Sequence, residues 1–122
     1  RGETILVVED EVELLEVTRR VLERHGYRVL ATSSPAEAVA FAQTASEIHL
    51  LLTDVIMPGM LGPEVARRVR ELRPEIRVLF MSGYAPGSLR QMQQDLPNAV
   101  DLVNKPFTRG DLTEKVKKAL AA

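Results

Sequence analysis

A chain of 122 residues is enough for one domain with a buried core and no staples. The absence of Cys excludes a disulfide framework, a thiolate metal site and a thiol nucleophile, and suits a reducing, cytoplasmic setting. Its 16 basic and 17 acidic residues nearly cancel, which speaks against a nucleic-acid-binding face, and no apolar run nears the ~18 residues of a membrane span.

Arg1-Gly2-Glu3-Thr4 leads into no signal-peptide core, and there is no initiator Met. A single domain, residues 1–122, cut from a longer chain is expected. The first apolar run is Ile5-Leu6-Val7-Val8. A helical stripe of Leu14, Leu15, Thr18, Val21 and Leu22 follows, ended by Gly26 just past the helix. Arg28-Val29-Leu30-Ala31 is the second run. Ser34-Pro35-Ala36-Glu37 reads as a capping box with Pro at the first helical position, placing Val39 and Ala42 inward. Leu50-Leu51-Leu52-Thr53 is the third run. Pro63 opens a third helix with Val65, Ala66, Val69 and Leu72 inward, and Pro74 marks its end. Val78-Leu79-Phe80-Met81 is the fourth run, and Leu89 to Leu96 a weaker helix. Val100-Asp101-Leu102-Val103 is the fifth run; Thr108 then caps a helix with Leu112, Val116, Ala119 and Leu120 inward.

Most runs are continuous rather than alternating, as in strands covered on both faces. Five β-α units predict an α/β fold, a doubly wound, five-stranded parallel sheet with helices on both faces, and right-handed crossovers leave few topologies. Ligands of such sheets bind beyond the carboxyl ends of the strands. The polar residues there are Glu9 and Asp10 after the first run, Asp54 after the third, Ser82 after the fourth and Lys105 after the fifth. Three carboxylates together repel unless a cation joins them, and an all-oxygen set favours a hard ion such as Mg²⁺. Lys105 adds a positive charge and Ser82 a hydrogen-bond donor, both suited to phosphoryl oxygens. A nucleophilic carboxylate flanked by two cations is an arrangement for phosphoryl transfer, with Asp54 the best-placed nucleophile.

The segments Val7-Val8-Glu9-Asp10-Glu11, Leu52-Thr53-Asp54-Val55-Ile56-Met57-Pro58-Gly59, Met81-Ser82-Gly83-Tyr84 and Asn104-Lys105-Pro106-Phe107 closely resemble the receiver domains of two-component response regulators, over essentially the whole chain. The resemblance implies a flavodoxin-like (βα)5 sheet of strand order 2-1-3-4-5, Asp54 as phosphoacceptor, Asp10 as a direct Mg²⁺ (or Mn²⁺) ligand, Glu9 reaching the ion through water, and the backbone carbonyl of Ile56 as a further ligand. It implies Ser82 and Lys105 on the phosphoryl oxygens and a cis peptide at Lys105-Pro106. The donor would be the phosphohistidine of a sensor histidine kinase or a histidine phosphotransfer domain. The isolated domain would be a self-phosphorylating and self-dephosphorylating switch rather than a turnover enzyme, making no contact of its own with nucleic acid or membrane. Oligomeric state stays open, a homodimer included. Phe80-Met81-Ser82-Gly83-Tyr84-Ala85-Pro86 resembles receivers of hybrid sensor histidine kinases.

Two positions depart from the family pattern. Leu102 stands where many members carry an aromatic that swings inward, and Ile56 where many carry a polar residue. Two readings of Tyr84, on a loop from Ser82 to Gly87, follow: it takes the aromatic's part, with slow phosphoryl hydrolysis, or it lies on the surface as part of a partner-binding face.

Taken singly, Asp10 could be a helix cap, Asp54 a turn former, Ser82 part of a plain turn and Lys105 a solvated lysine. Their joint placement at one sheet edge argues otherwise. His25 and His49 read as surface or helix-end residues, and Arg67, Arg68, Arg70, Arg73 and Arg77 as a solvated face. A metal-dependent aspartyl phosphatase would need a second Asp where Ile56 stands. An inert binding module would usually have lost the acceptor, an acid or the lysine. A hydroxyl-rich phosphate loop for flavin and a Gly-x-Gly-x-x-Gly for a dinucleotide are both missing.

Overall fold

The computed structural model of the chain describes residues 2–82, 99–105 and 107–121. In chain order it runs β1 (Thr4–Val8), α1 (Val12–Arg24), β2 (Arg28–Thr32), α2 (Pro35–Thr44), β3 (Leu50–Asp54), α3 (Gly62–Leu72), β4 (Arg77–Ser82), β5 (Ala99–Asn104) and α4 (Arg109–Ala121). The five strands form one parallel sheet in the order β2-β1-β3-β4-β5. The helix expected over Leu89 to Leu96 lies outside the described residues.

Successive side chains of a strand point to opposite faces, and here each face has its own helical cover. Leu6, Val8, Leu51, Val55, Phe80 and Leu102 pack with Ala38 and Ala42 of α2 and Val65, Ala66 and Val69 of α3. Ile5, Val7, Leu50, Leu52, Leu79, Met81 and Val103 pack with Leu22 of α1 and Leu112, Val116 and Ala119 of α4. Two covered faces explain why the strands read as unbroken apolar runs.

The helix ends follow local chemistry. Gly26 takes φ +90° just past α1, a conformation that costs glycine little. Only half of the expected capping box forms at α2. The Ser34 hydroxyl accepts from the Glu37 N–H at 3.2 Å, but the Glu37 carboxylate accepts from the Thr32 hydroxyl instead of reaching back to Ser34. At α4 the box is complete: Thr108 Oγ1 accepts from Asp111 N–H at 3.0 Å, and Asp111 Oδ2 from Thr108 N–H at 3.3 Å.

Four further expectations need correction. Ala38, not Val39, is the buried partner of Ala42, because residues four apart share one stripe of α2 and alanine lets α3 approach closely. Leu72 is 44 % exposed; the inner stripe of α3 runs on from Val69 to Arg73, and Ile76 fills the core beyond the helix. The arginines are not one solvated face. Arg67 and Arg68 pair with Glu64 at the surface, but Arg70 donates to Ile76 O at 3.0 Å. Arg73 donates to Ala42 O at 2.9 Å and to Ala45 O, tying α3 to the free carbonyls at the end of α2. His25 sits at a helix end as expected, its ring against Val21 O, whereas His49 Nδ1 accepts the Thr4 N–H at 2.9 Å and joins β3 to the start of β1.

Candidate functional site

The strand register assembles the site. Val8 lies opposite Thr53, Asp54 opposite Met81, and Ser82 opposite Asn104. Glu9, Asp54, Ser82 and Lys105 therefore leave the sheet at one edge, although nearly the whole chain separates the first from the last. A register shift between Val78 and Leu79 brings β5 into this alignment. Backbone bonds fix the edge: Glu9 N–H to Thr32 O at 3.2 Å, Val55 N–H to Met81 O at 3.1 Å and Lys105 N–H to Ser82 O at 3.0 Å.

Glu9, Asp54 and Ser82 are all buried, and Glu9 is 0 % exposed. One carboxylate oxygen from each of Glu9, Asp10 and Asp54 falls within 4.8 Å of the others. Lys105 Nζ lies 2.6 Å from Glu9 Oε1 and 3.1 Å from Asp54 Oδ2. Glu9 Oε2 also accepts the Glu11 N–H at 3.1 Å. Burial pushes the proton affinity of both Glu9 and Asp54 above the ordinary carboxylate range, against the opposing pull of Lys105. The two carboxylates hold the Lys105 ammonium more firmly charged than usual, in spite of its own burial.

Three acids against one ammonium leave a net deficit of two positive charges. The donor set is hard oxygen throughout, and it suits one divalent ion that keeps several waters. Glu9, Asp10 and Asp54 thus fit the Mg²⁺ expected from the sequence. Ile56 follows β3 by two residues and is 45 % exposed. Leu102 is buried in the sheet core and offers no surface group. Tyr84, the loop beyond Ser82 and the Lys105-Pro106 peptide fall on or beside residues outside the described set.

Two contacts were not read from the sequence. The first is the pairing of Lys105 with Glu9, which a long flexible stem makes across β3 and β4. The second is the seating of Gly62, the first residue of α3, against the backbone of Asp54. Pro63 signalled a helix start, but no pattern signals a close approach between main chains.

The family profile of the response regulator receiver domain matches residues 5–117. This chain belongs to that family. Among curated relatives, the response regulator receiver protein CpdR of Brucella abortus is 35% identical over 118 residues, 97% of this chain and 97% of that protein. The sensor kinase CckA of the same organism is 34% identical over 119 residues, but the receiver spans only 12% of its length. The crystal structure of the receiver domain from the hybrid histidine kinase CckA superposes with a TM-score of 0.79 at 36% identity, over 96% of this chain and 98% of that one. The receiver fold and the two-component phosphoacceptor role expected from the sequence are both shown.

The raised proton affinities give the metal-free receiver an unusual pH dependence. A folded state that binds protons more tightly than the unfolded chain is favoured below the unfolded values of 4.5 and 3.8, and loses that advantage as pH rises through the folded ones. Glu16 and Glu64, held low by neighbouring arginines, act oppositely, and their contribution is lost as pH falls below 4.5. Thermal melts in EDTA should therefore show Tm falling as pH rises above about 4.5 through the range in which Glu9 and Asp54 ionise, and falling again below about pH 4.5. With Mg²⁺ present the upper limb should flatten or reverse. A metal-free Tm that rises steadily with pH across this range would contradict the burial of Glu9 and Asp54 as acids whose desolvation outweighs the pull of Lys105.

Proposed function

We propose that Asp54 is the phosphoacceptor of this receiver and that Lys105 and Ser82 hold the transferred group. The pairing of Lys105 Nζ with Asp54 Oδ2 at 3.1 Å carries the reading, because it sets a cation beside the carboxylate where phosphoryl charge would develop. Asp10 and Asp54, with Glu9 behind them and the Ile56 carbonyl, would hold Mg²⁺. When bound, the ion supplies positive charge to the acceptor carboxylate and to the phosphoryl oxygens.

The donor in this reading is a phosphohistidine of a kinase or of a histidine phosphotransfer domain. An Asp54 carboxylate oxygen forms the new O–P bond while the P–N bond breaks. The electron pair stays on the imidazole nitrogen, which then takes up a proton. Lys105 leaves Glu9 for a phosphoryl oxygen as charge builds, and the buried Ser82 hydroxyl donates to another. Ile56 is apolar and cannot orient a water for hydrolysis, so the acyl phosphate should be long-lived. The receiver then acts as a switch rather than as a turnover enzyme.

Domain context stays with two relatives. CpdR is a receiver over nearly its whole length, whereas the CckA receiver is a small part of a sensor kinase. The motif Phe80 to Pro86 favours the second setting, a cytoplasmic receiver within a hybrid kinase. Incubation with acetyl phosphate and Mg²⁺ should add one phosphoryl group to the intact mass. EDTA should abolish the addition, and Mn²⁺ should restore it. Equal labelling in EDTA would refute the metal assignment.

A further inference from the structure

Gly62 is buried at the first position of α3, and its backbone is not in the left-handed region. Its glycine identity has another cause. A Cβ built on Gly62 would lie 2.1 Å from the carbonyl oxygen of Asp54 and 3.0 Å from both the carbonyl carbon of Asp54 and Cα of Val55. All three neighbours are main-chain atoms, so no side-chain rotation could relieve the contact. The Gly62 N–H also donates to Val55 O at 2.7 Å. The start of α3 is thus pressed onto the Asp54-Val55 peptide and hydrogen-bonded just beyond it.

We infer that Gly62 is a positioning residue for phosphoryl transfer: it lets α3 clamp the peptide that aims the Asp54 carboxylate and closes the loop carrying the Ile56 carbonyl. This rests on Asp54 being the acceptor. The peptide is already held from its other side, where Val55 N–H donates to Met81 O at 3.1 Å. α3 is held in turn by Val65, Ala66 and Val69 in the core and by Arg73 on the end of α2. A methyl group at position 62 must therefore displace one of two anchored bodies, by a shift on the order of 1 Å. Misplacement of that size at a reacting group typically costs roughly a hundredfold in rate. A change confined to stability would leave the folded molecules reacting normally.

The test compares Gly62→Ala with Val116→Ala, which loosens α4 on the opposite face of the sheet without touching α3 or the Asp54 backbone. Phosphoryl incorporation from acetyl phosphate at saturating Mg²⁺ is measured per folded molecule, the folded fraction being taken from circular dichroism. The backbone amide resonances of Val55 and Met57 are recorded in the metal-free proteins. Gly62→Ala should lower the rate by roughly a hundredfold and move the Val55 resonance, whereas Val116→Ala should lower Tm and keep the rate within about twofold of the parent. Equal rates per folded molecule in the parent and Gly62→Ala would overturn the inference. If Gly62→Ala does not fold, the measurement is repeated in trimethylamine N-oxide, which favours the compact state. A chain that stays unfolded there would assign Gly62 to the fold alone and overturn the positioning role. Asp54→Asn serves as the control: labelling that persists in it removes the acceptor assignment itself, whatever Gly62 does.

Discussion

Asp54→Asn should take up no phosphoryl group from acetyl phosphate, under conditions where the parent takes up one. The change keeps the size of the side chain and removes its charge and its nucleophilic oxygen. Asp54 ends the central strand, between β1 with its acid pair and β4 with Ser82, and no other carboxylate of the cluster is so placed. Glu9 is buried, with one carboxylate oxygen against Lys105 and the other accepting the Glu11 N–H, so both its oxygens are engaged. The loss of labelling should therefore be complete within detection, well beyond a hundredfold. The same substitution removes one of two buried carboxylates that repel each other, so metal-free Asp54→Asn should melt no lower than the parent, and higher near pH 8. Residual labelling at the parental rate would move the acceptor to Asp10 or Glu9.

Lys105→Ala has the second largest expected effect, and it splits into two parts. Loss of the cation removes charge stabilisation from the transferred group, which should slow labelling roughly 10²- to 10³-fold, the scale for one electrostatic donor. It also strands Glu9, which has 0 % exposure, without its ion-pair partner. Breaking a buried pair from one side typically costs about 3–5 kcal/mol. Lys105 retains 19% side-chain exposure, and Glu9 can take up a proton in place of the ammonium, so a loss of roughly 1–3 kcal/mol near pH 7.5 is expected. That loss should shrink as pH falls and the acids take up protons, and on addition of Mg²⁺. Lys105→Arg separates the parts. Its charge should restore much of the stability, but its planar fork does not reproduce a compact ammonium between two carboxylates, so labelling should stay slow. Denaturant melts and labelling rates on the same three proteins check both parts; a Lys105→Ala protein with parental labelling would leave the lysine a purely structural role.

The sequence carried most of the fold because covering both faces of a sheet leaves a local mark. The runs at Ile5, Arg28, Leu50 and Val78 each fall within a residue of the observed strand starts, since their hydrophobicity needs no partner to be visible. The chemistry-bearing residues were legible for the same reason: each directly follows such a run, and parallel strands in register deliver their ends to one edge. What stayed hidden depends on neighbours distant in the chain. Arg73 looks like surface charge until the end of α2 is beside it, and Leu72 looks like core until the stripe of α3 passes it by. Glu37 completes a capping box on paper, but the Thr32 hydroxyl competes for it. Gly62 gives no pattern at all, because its reason is an atom of Asp54.

Locating the phosphoryl group tests the account most directly. Borohydride reduces an aspartyl phosphate to homoserine, so the labelled receiver can be reduced, cleaved and sequenced by mass spectrometry. The site geometry requires homoserine at position 54 in the phosphorylated protein and Asp54 unchanged in the unlabelled control. Homoserine at Asp10 or at any other acid, with Asp54 intact, would contradict it.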